Sequence, residues 1–201
     1  AGGGGGAKVV ATPADGGDGG GTTGSSGSDG ETGVALAGAG GTQVAGGSAA
    51  NTIVGLSQLG IKTSYLGKVC NDEFGEFFSN DMNSHNVEFK VSEKIDSTKL
   101  STGHCIVLVT PDGERTMNTY LGVTEFLSKD DLSLKTLQNC EWVYLEGYRY
   151  DGIDSQKAFE IAINHTKKEG GKVALSLSDP FCVQRHREKF IKIMQEEKNK
   201  N

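Results

Sequence analysis

The stretch GGSAANTIVGLSQLG, residues 46–60, opens with two glycines, carries Asn51 four residues after the second, and runs on with helical apolar spacing. Glycine has no Cβ, so backbone N–H groups at Gly46 and Gly47 can approach another molecule closely. The Asn51 amide offers both donors and an acceptor. The same residues also suit a plain strand-to-helix turn with Asn51 as a local cap, and local sequence leaves both readings open. A second group lies in TGHCIVLVTPDGERTMNTYLG, residues 102–122. There Arg115 follows a Pro-Asp-Gly turn, and Cys105, Met117, Thr119 and Leu121 fall on one strand face within each arm. A third, ALSLSDPF, ends a strand on Asp179 and adds Phe181.

Other chemistries fit poorly. GAGGTQ, residues 38–43, starts like a dinucleotide fingerprint but has Gln43 at the third glycine position, and no clear hydrophobic strand precedes it. A P-loop fails, because Val69 follows Gly67-Lys68 and Lys62 stands where the earlier glycine belongs. His85, His104, His165 and His186 form no HExxH, and no G-x-S-x-G occurs. Cys70, Cys105, Cys140 and Cys182 form no CxxC pair, so they read as reduced thiols rather than zinc ligands. No metal site is expected from these residues. A formal net charge of −6 gives no footprint for nucleic acid. No apolar run is long enough to span a membrane, and no signal peptide is visible, so a cytoplasmic location is expected.

The elements that must hold these groups alternate. Helices are expected behind Gly47, over NDEFGEFFSNDMNSHN, over DSQKAFEIAINHTKKEGG and after Pro180; strands at KTSYLGKV, VEFKV, EWVYLEG and KVALSLSD. Ser128 and Asp131 form a capping-box-like pattern. A hairpin with arms near 103–110 and 114–121 interrupts the series. Alternation with long connections argues for βα units on a parallel sheet, with ligands at the C-terminal strand ends after Gly67-Lys68, Glu146-Gly147 and Ser178-Asp179. The first fifty residues hold 19 of the 30 glycines and no aromatic residue. Residues 1–33 are therefore expected to be a disordered or poorly defined low-complexity segment, and 34–201 a partial α/β domain with a lid hairpin at about 87–121.

In this order the motifs resemble the ribokinase-like (PfkB) carbohydrate and nucleoside kinases, in their adenosine-kinase-like branch. The resemblance runs from residue 46 to about 190. It is carried by GGSAANT with its helix, by LGKVCNDEFGEFF (similar to the family's G-x-V-G-x-D-x-x-G), by the hairpin, and by YLEGY with ALSLSDPF. It implies a parallel α/β sandwich with a small β-sheet lid over the substrate. It also implies ATP-dependent phosphotransfer to a hydroxyl of a sugar or nucleoside, with Mg2+. Gly46, Gly47, Ser48 and Asn51 would then hold substrate hydroxyls, the Asn51 amide suiting a diol. Cys105, Met117 and Thr119 would pack on a nucleoside base, Phe181 would be a substrate-side aromatic, and Arg115 would reach the transferred phosphate, for which its charged fork suits. Each has a structural reading too: a turn, lid core, or a solvated arginine.

The chain departs from the family in two places. No acidic residue can be aligned at the end of a first strand, Asp15 and Asp18 being the nearest. The Gly-Ala-Gly-Asp motif that carries the family's anion hole and catalytic base does not occur. The fold is thus expected to be incomplete at the C-terminus, with no catalytic residue in this chain and the base outside it. General-base help is typically worth about 10²–10⁴ in rate, so the chain alone is expected to be inactive. The alternative is a non-catalytic sugar- or nucleoside-binding protein of the same fold. A third reading is an interaction role, a homodimer formed through exposed lid strands.

Overall fold

The computed structural model describes residues 8–11, 33–37, 43–91, 99–138 and 140–198. In chain order the strands are β1 (Lys8–Ala11), β2 (Gly33–Ala37), β3 (Gln43–Gly46), β4 (Lys62–Gly67), β5 (Val87–Val91), β6 (His104–Val109), β7 (Arg115–Tyr120), β8 (Trp142–Glu146) and β9 (Lys172–Ser176). The helices are α1 (Ser48–Gln58), α2 (Glu73–Ser84), α3 (Leu134–Gln138), α4 (Ile153–Lys168) and α5 (Pro180–Lys198), with three short 3-10 turns at Gly122–Phe126, Lys129–Asp131 and Gly147–Asp151.

Two sheets form. A five-stranded sheet has the order β5-β4-β1-β8-β9, and every pairing in it is parallel. A four-stranded sheet has the order β3-β2-β6-β7. Within it β2 pairs antiparallel with β3 and parallel with β6, and β6 pairs antiparallel with β7. This is the parallel α/β body with a small β-sheet lid. The core lies where α1 and α2 meet β4: Ala49, Ala50 and Ile53 are buried with Tyr65, Leu66, Phe78 and Val87. Tyr65, Phe78 and Phe89 interlock with ring centroids 5.2–5.9 Å apart, spacings typical of favourable aromatic pairs.

The structure redraws two boundaries. Lys8–Ala11, inside the segment expected to lack order, is the central strand of the parallel sheet; the rest of 1–32 lies outside the described residues, Asp15 and Asp18 included. The lid does not begin at 87, because β5 joins the body sheet beside β4. The lid hairpin is β6–β7 alone, and its other two strands come from the Gly-rich region. A strand, β2, does precede residues 38–43, but β3 rather than a helix follows, so a dinucleotide fingerprint lacks its helix.

Two polar ties fasten the lid to the body. On the entry side, Asp72 Oδ1 accepts from Gly75 N at 2.8 Å and from Thr102 Oγ1 at 2.7 Å, while Oδ2 accepts from Thr102 N at 2.8 Å. Thr102 Oγ1 also accepts from Cys70 N at 2.8 Å. Asp72 therefore caps α2 and holds the approach to β6 at once. Gly75 is required beside it, since a Cβ there would sit 2.2 Å from the Cys70 carbonyl oxygen. On the exit side, Lys68 Nζ donates to both Asp131 oxygens at 2.9 Å. Asp131 also accepts from Ser128 N, which completes the expected capping box. All four cysteines are buried. No helix among the described residues is long and apolar enough to cross a membrane.

Asp72→Ala removes the cap and the tie together. It is expected to lower stability by about 1–2 kcal/mol in a denaturant melt. An unchanged midpoint would show that the entry tie carries no load.

Candidate functional site

The Gly pair ends β3 and starts α1. Gly46 and Gly47 are buried, and Gly47 is the N-cap of α1 with φ 116° and ψ 133°. Side chains rarely adopt that backbone, so the second glycine is required by conformation. No side chain caps α1 and no acidic residue lies in its first turn. The N-terminal amides of this helix therefore lack the usual local acceptor. Asn51 uses its backbone N–H to bond the Gly47 carbonyl at 2.8 Å. Its side chain is exposed and does not cap the helix.

The acid that α1 lacks comes from β8. Glu146, the last residue of that strand, is 1% exposed. Ser48 Oγ donates to its Oε2 at 2.7 Å, Tyr144 Oη donates to the same oxygen at 2.9 Å, and Ser178 Oγ donates to Oε1 at 2.6 Å. The first turn of α1 and the C-terminal ends of β8 and β9 thus converge on one carboxyl group. A buried ionisable group must be hydrogen-bonded to be tolerated, and here the donors are three hydroxyls. Through Ser48 the carboxyl is held against the first turn of α1. A carboxylate has about four acceptor positions. Three are filled by these hydroxyls, and among the described residues no donor fills the fourth, on Oε1.

Gly147 is needed directly after Glu146: a Cβ there would lie 2.6 Å from the Ser176 carbonyl oxygen and 2.9 Å from Ser178 Oγ. The two strand ends are therefore in backbone contact. Asp179, buried, accepts from Cys182 N at 2.6 Å and so caps α5. Phe181, in the first turn of α5, is 58% exposed.

The lid residues share a face. Cys105 pairs in register with Thr119 and Val107 with Met117, and Arg115 pairs with Val109. Cys105 is buried and accepts from Thr119 Oγ1 at 3.3 Å. The opposite face rests on α2 at its base, where the His104 ring lies 4.9 Å from Phe74 and 5.2 Å from Tyr120. Cys105, Met117 and Thr119 therefore turn away from α2. Arg115 is exposed beside the hairpin turn. Among the described residues Ser48 is the one sequence-selected residue hydrogen-bonded to Glu146. Sequence reasoning named the strand ends at Glu146-Gly147 and Ser178-Asp179 but not Glu146, Tyr144 or Ser178 as site residues. Their one sequence signal was position at the ends of two parallel strands.

Burial, and then the charge of Glu146, push the Tyr144 phenol up to about 12 from the usual 10.0. A phenol whose proton is held more tightly in the folded state contributes stability that is intact below pH 10 and is lost as pH rises toward 12. The wild-type chain should therefore lose stability more steeply than Tyr144→Phe over that window. Matching alkaline melts for the two chains would contradict the Tyr144–Glu146 contact.

Known proteins share this fold. The pfkB family carbohydrate kinase model matches residues 25–194. A 5-dehydro-2-deoxygluconokinase of Clostridium perfringens is 29% identical over 127 residues, which cover 62% of this chain and 37% of that protein. An adenosine kinase from Sinorhizobium meliloti superposes with a TM-score of 0.77 at 26% identity, covering 94% of this chain and 62% of that one. A fructokinase from Xylella fastidiosa with bound ATP has the same fold, with a TM-score of 0.65 at 14% identity over 85% of this chain and 51% of that one. The chain spans less than two-thirds of the length of each of these relatives. With the family model matched across most of its length, the chain belongs to the pfkB family of carbohydrate kinases.

Proposed function

We propose that this chain is the substrate side of an ATP-dependent kinase that phosphorylates a hydroxyl of a sugar or nucleoside. The observation that carries this reading is the buried Glu146 carboxyl at the C-terminal strand ends, with one acceptor position that no described residue fills. An O–H of a polyhydroxylated ligand matches that acceptor. The uncapped amides of α1 and the Asn51 amide suit neighbouring oxygens of the same ligand. Glycine at 46 and 47 leaves room for that approach. On the lid, the face with Cys105, Met117 and Thr119 is suited to a flat base or sugar ring, and Phe181 supplies an exposed aromatic. Arg115, at the hairpin tip, would meet transferred phosphate if the lid closes over the site.

ATP supplies the phosphoryl group and Mg2+ neutralises its charge in chemistry of this kind. The described residues do not fit either partner as a complete site. They hold no cluster of three His, Cys, Asp or Glu side chains suited to a metal. The chain also has no Gly-Ala-Gly-Asp. We therefore assign the base, the anion hole and the metal to sequence outside this chain. The β9 edge supports that assignment. Among the described residues β9 has a neighbour only on its β8 side. Its Val173, Ala174, Leu175 and Ser176 carry no charge, whereas the other edge strand, β5, is guarded by Glu88 and Lys90, ion-paired at 2.9 Å.

In a coupled ADP-release assay the 201-residue chain should show no turnover above background, while calorimetry detects adenosine or a furanose sugar. Robust turnover would contradict the assignment of the base to other sequence. Binding without turnover by a full-length gene product would instead favour a non-catalytic sugar- or nucleoside-binding protein. The outer edge of β7 is exposed, and its Thr116–Tyr120 portion carries no charge. We infer that two copies pair there; light scattering should report a dimer, and a monomer at every concentration would refute the pairing.

A further inference from the structure

Among the described residues two non-glycine positions have positive φ, Asn86 at 58° and Ser178 at 63°. Asn86 follows the end of α2, where asparagine commonly adopts this conformation. Ser178 ends no helix. It lies between β9 and α5, where glycine would take the same backbone without penalty. What serine adds there is its hydroxyl. That hydroxyl accepts from Tyr148 N at 2.9 Å and donates to Glu146 Oε1 at 2.6 Å. An amide N–H can only donate, so it occupies an Oγ lone pair, and the single hydroxyl proton goes to the carboxyl group. The backbone N–H of Ser178 is itself held by Ser176 Oγ at 3.1 Å. Ser48 differs, because among the described residues its hydroxyl has the carboxyl as its one hydrogen-bond partner. Ser178 is thus the donor whose direction is fixed by the backbone around it.

We propose that Ser178 is a positioning residue: its left-handed backbone aims the hydroxyl at Glu146 Oε1 and so sets the direction of the acceptor position that the carboxyl leaves open for a ligand hydroxyl. This rests on the reading of Glu146 as the group that receives that hydroxyl. Gly147 is the complementary half of the device, since its missing Cβ lets Ser178 Oγ come within reach of both Tyr148 N and Glu146. A hydroxyl selected in spite of backbone cost is a local conflict of the kind found at functional positions.

Two substitutions separate positioning from mere structure. Ser178→Gly removes the hydroxyl and relieves the backbone, whereas Ser178→Ala removes the hydroxyl and keeps the strained φ. Stability should therefore diverge, with Ser178→Gly melting at the higher temperature. Ligand affinity should not diverge. Calorimetry of the 201-residue chain with adenosine, ribose and fructose should show both variants weakened by roughly tenfold or more, as expected for a lost hydrogen bond to a charged group. Affinity that follows stability, with Ser178→Gly equal to wild type, would overturn the proposal. Glu146→Ala, measured alongside, should abolish binding. Full binding by Glu146→Ala, or no binding of any probe by wild type, would overturn the reading of Glu146 instead. Independently of ligand, exchange of the Tyr148 amide proton should accelerate equally in both Ser178 variants, and unchanged exchange would overturn the geometry assigned to Ser178.

Discussion

A carboxyl group that is nearly sealed from water must find its hydrogen bonds inside the protein, and Glu146 finds them on three separate segments. Ser48 belongs to the first turn of α1, Tyr144 to β8 itself, and Ser178 to the loop after β9. Leaving one such partner unmade costs about 1–3 kcal/mol. The carboxyl therefore fixes how the Gly-pair helix seats against the parallel sheet. Gly47 and Gly147 are consequences of the same constraint. The first lets the chain turn directly from the lid sheet into α1. The second lets the β8 and β9 ends close to backbone contact.

The lid depends on a different set of contacts. Asp72 and Thr102 hold its entry, and the Lys68–Asp131 pair holds its exit. Lys68 and Asp72 both follow β4, so the lid is anchored near one strand end of the body sheet. The hairpin tip beyond these ties is exposed, as is most of β7. β3 belongs to the same lid sheet and runs through Gly46 and Gly47 into α1, so the lid is joined to the Glu146 cluster through Ser48.

Most elements were legible because their signals are local. The apolar spacing behind Gly47, the Asp72 cap of α2, the Pro-Asp-Gly hairpin and the Ser128–Asp131 capping box all lie within a few residues of their effects. The LGKVCNDEFG segment was legible as a family motif, and its physical content is now specific: Asp72 caps and ties, and Gly75 makes room for Cys70 and Thr102. β5 was misassigned to the lid because VEFKV alternates in the same way in either sheet, and pairing with β4 decides its place. β1 was missed because four residues in a Gly-rich tract become a strand through their neighbours on both sides. Glu146 was missed for a related reason. Its partners Ser48 and Ser178 are 98 and 32 residues away, and a glutamate at a strand end has no local signature of burial.

The account stands on the claim that Glu146 joins α1, β8 and the loop after β9 into one cooperative unit. Residue-resolved hydrogen exchange on Glu146→Ala tests it most directly. Protection should fall together in the first turn of α1, at Tyr148 and around Ser178, while β4, β5 and α2 keep theirs. Unchanged protection in the first group, or an equal loss across β5 and α2, would contradict it.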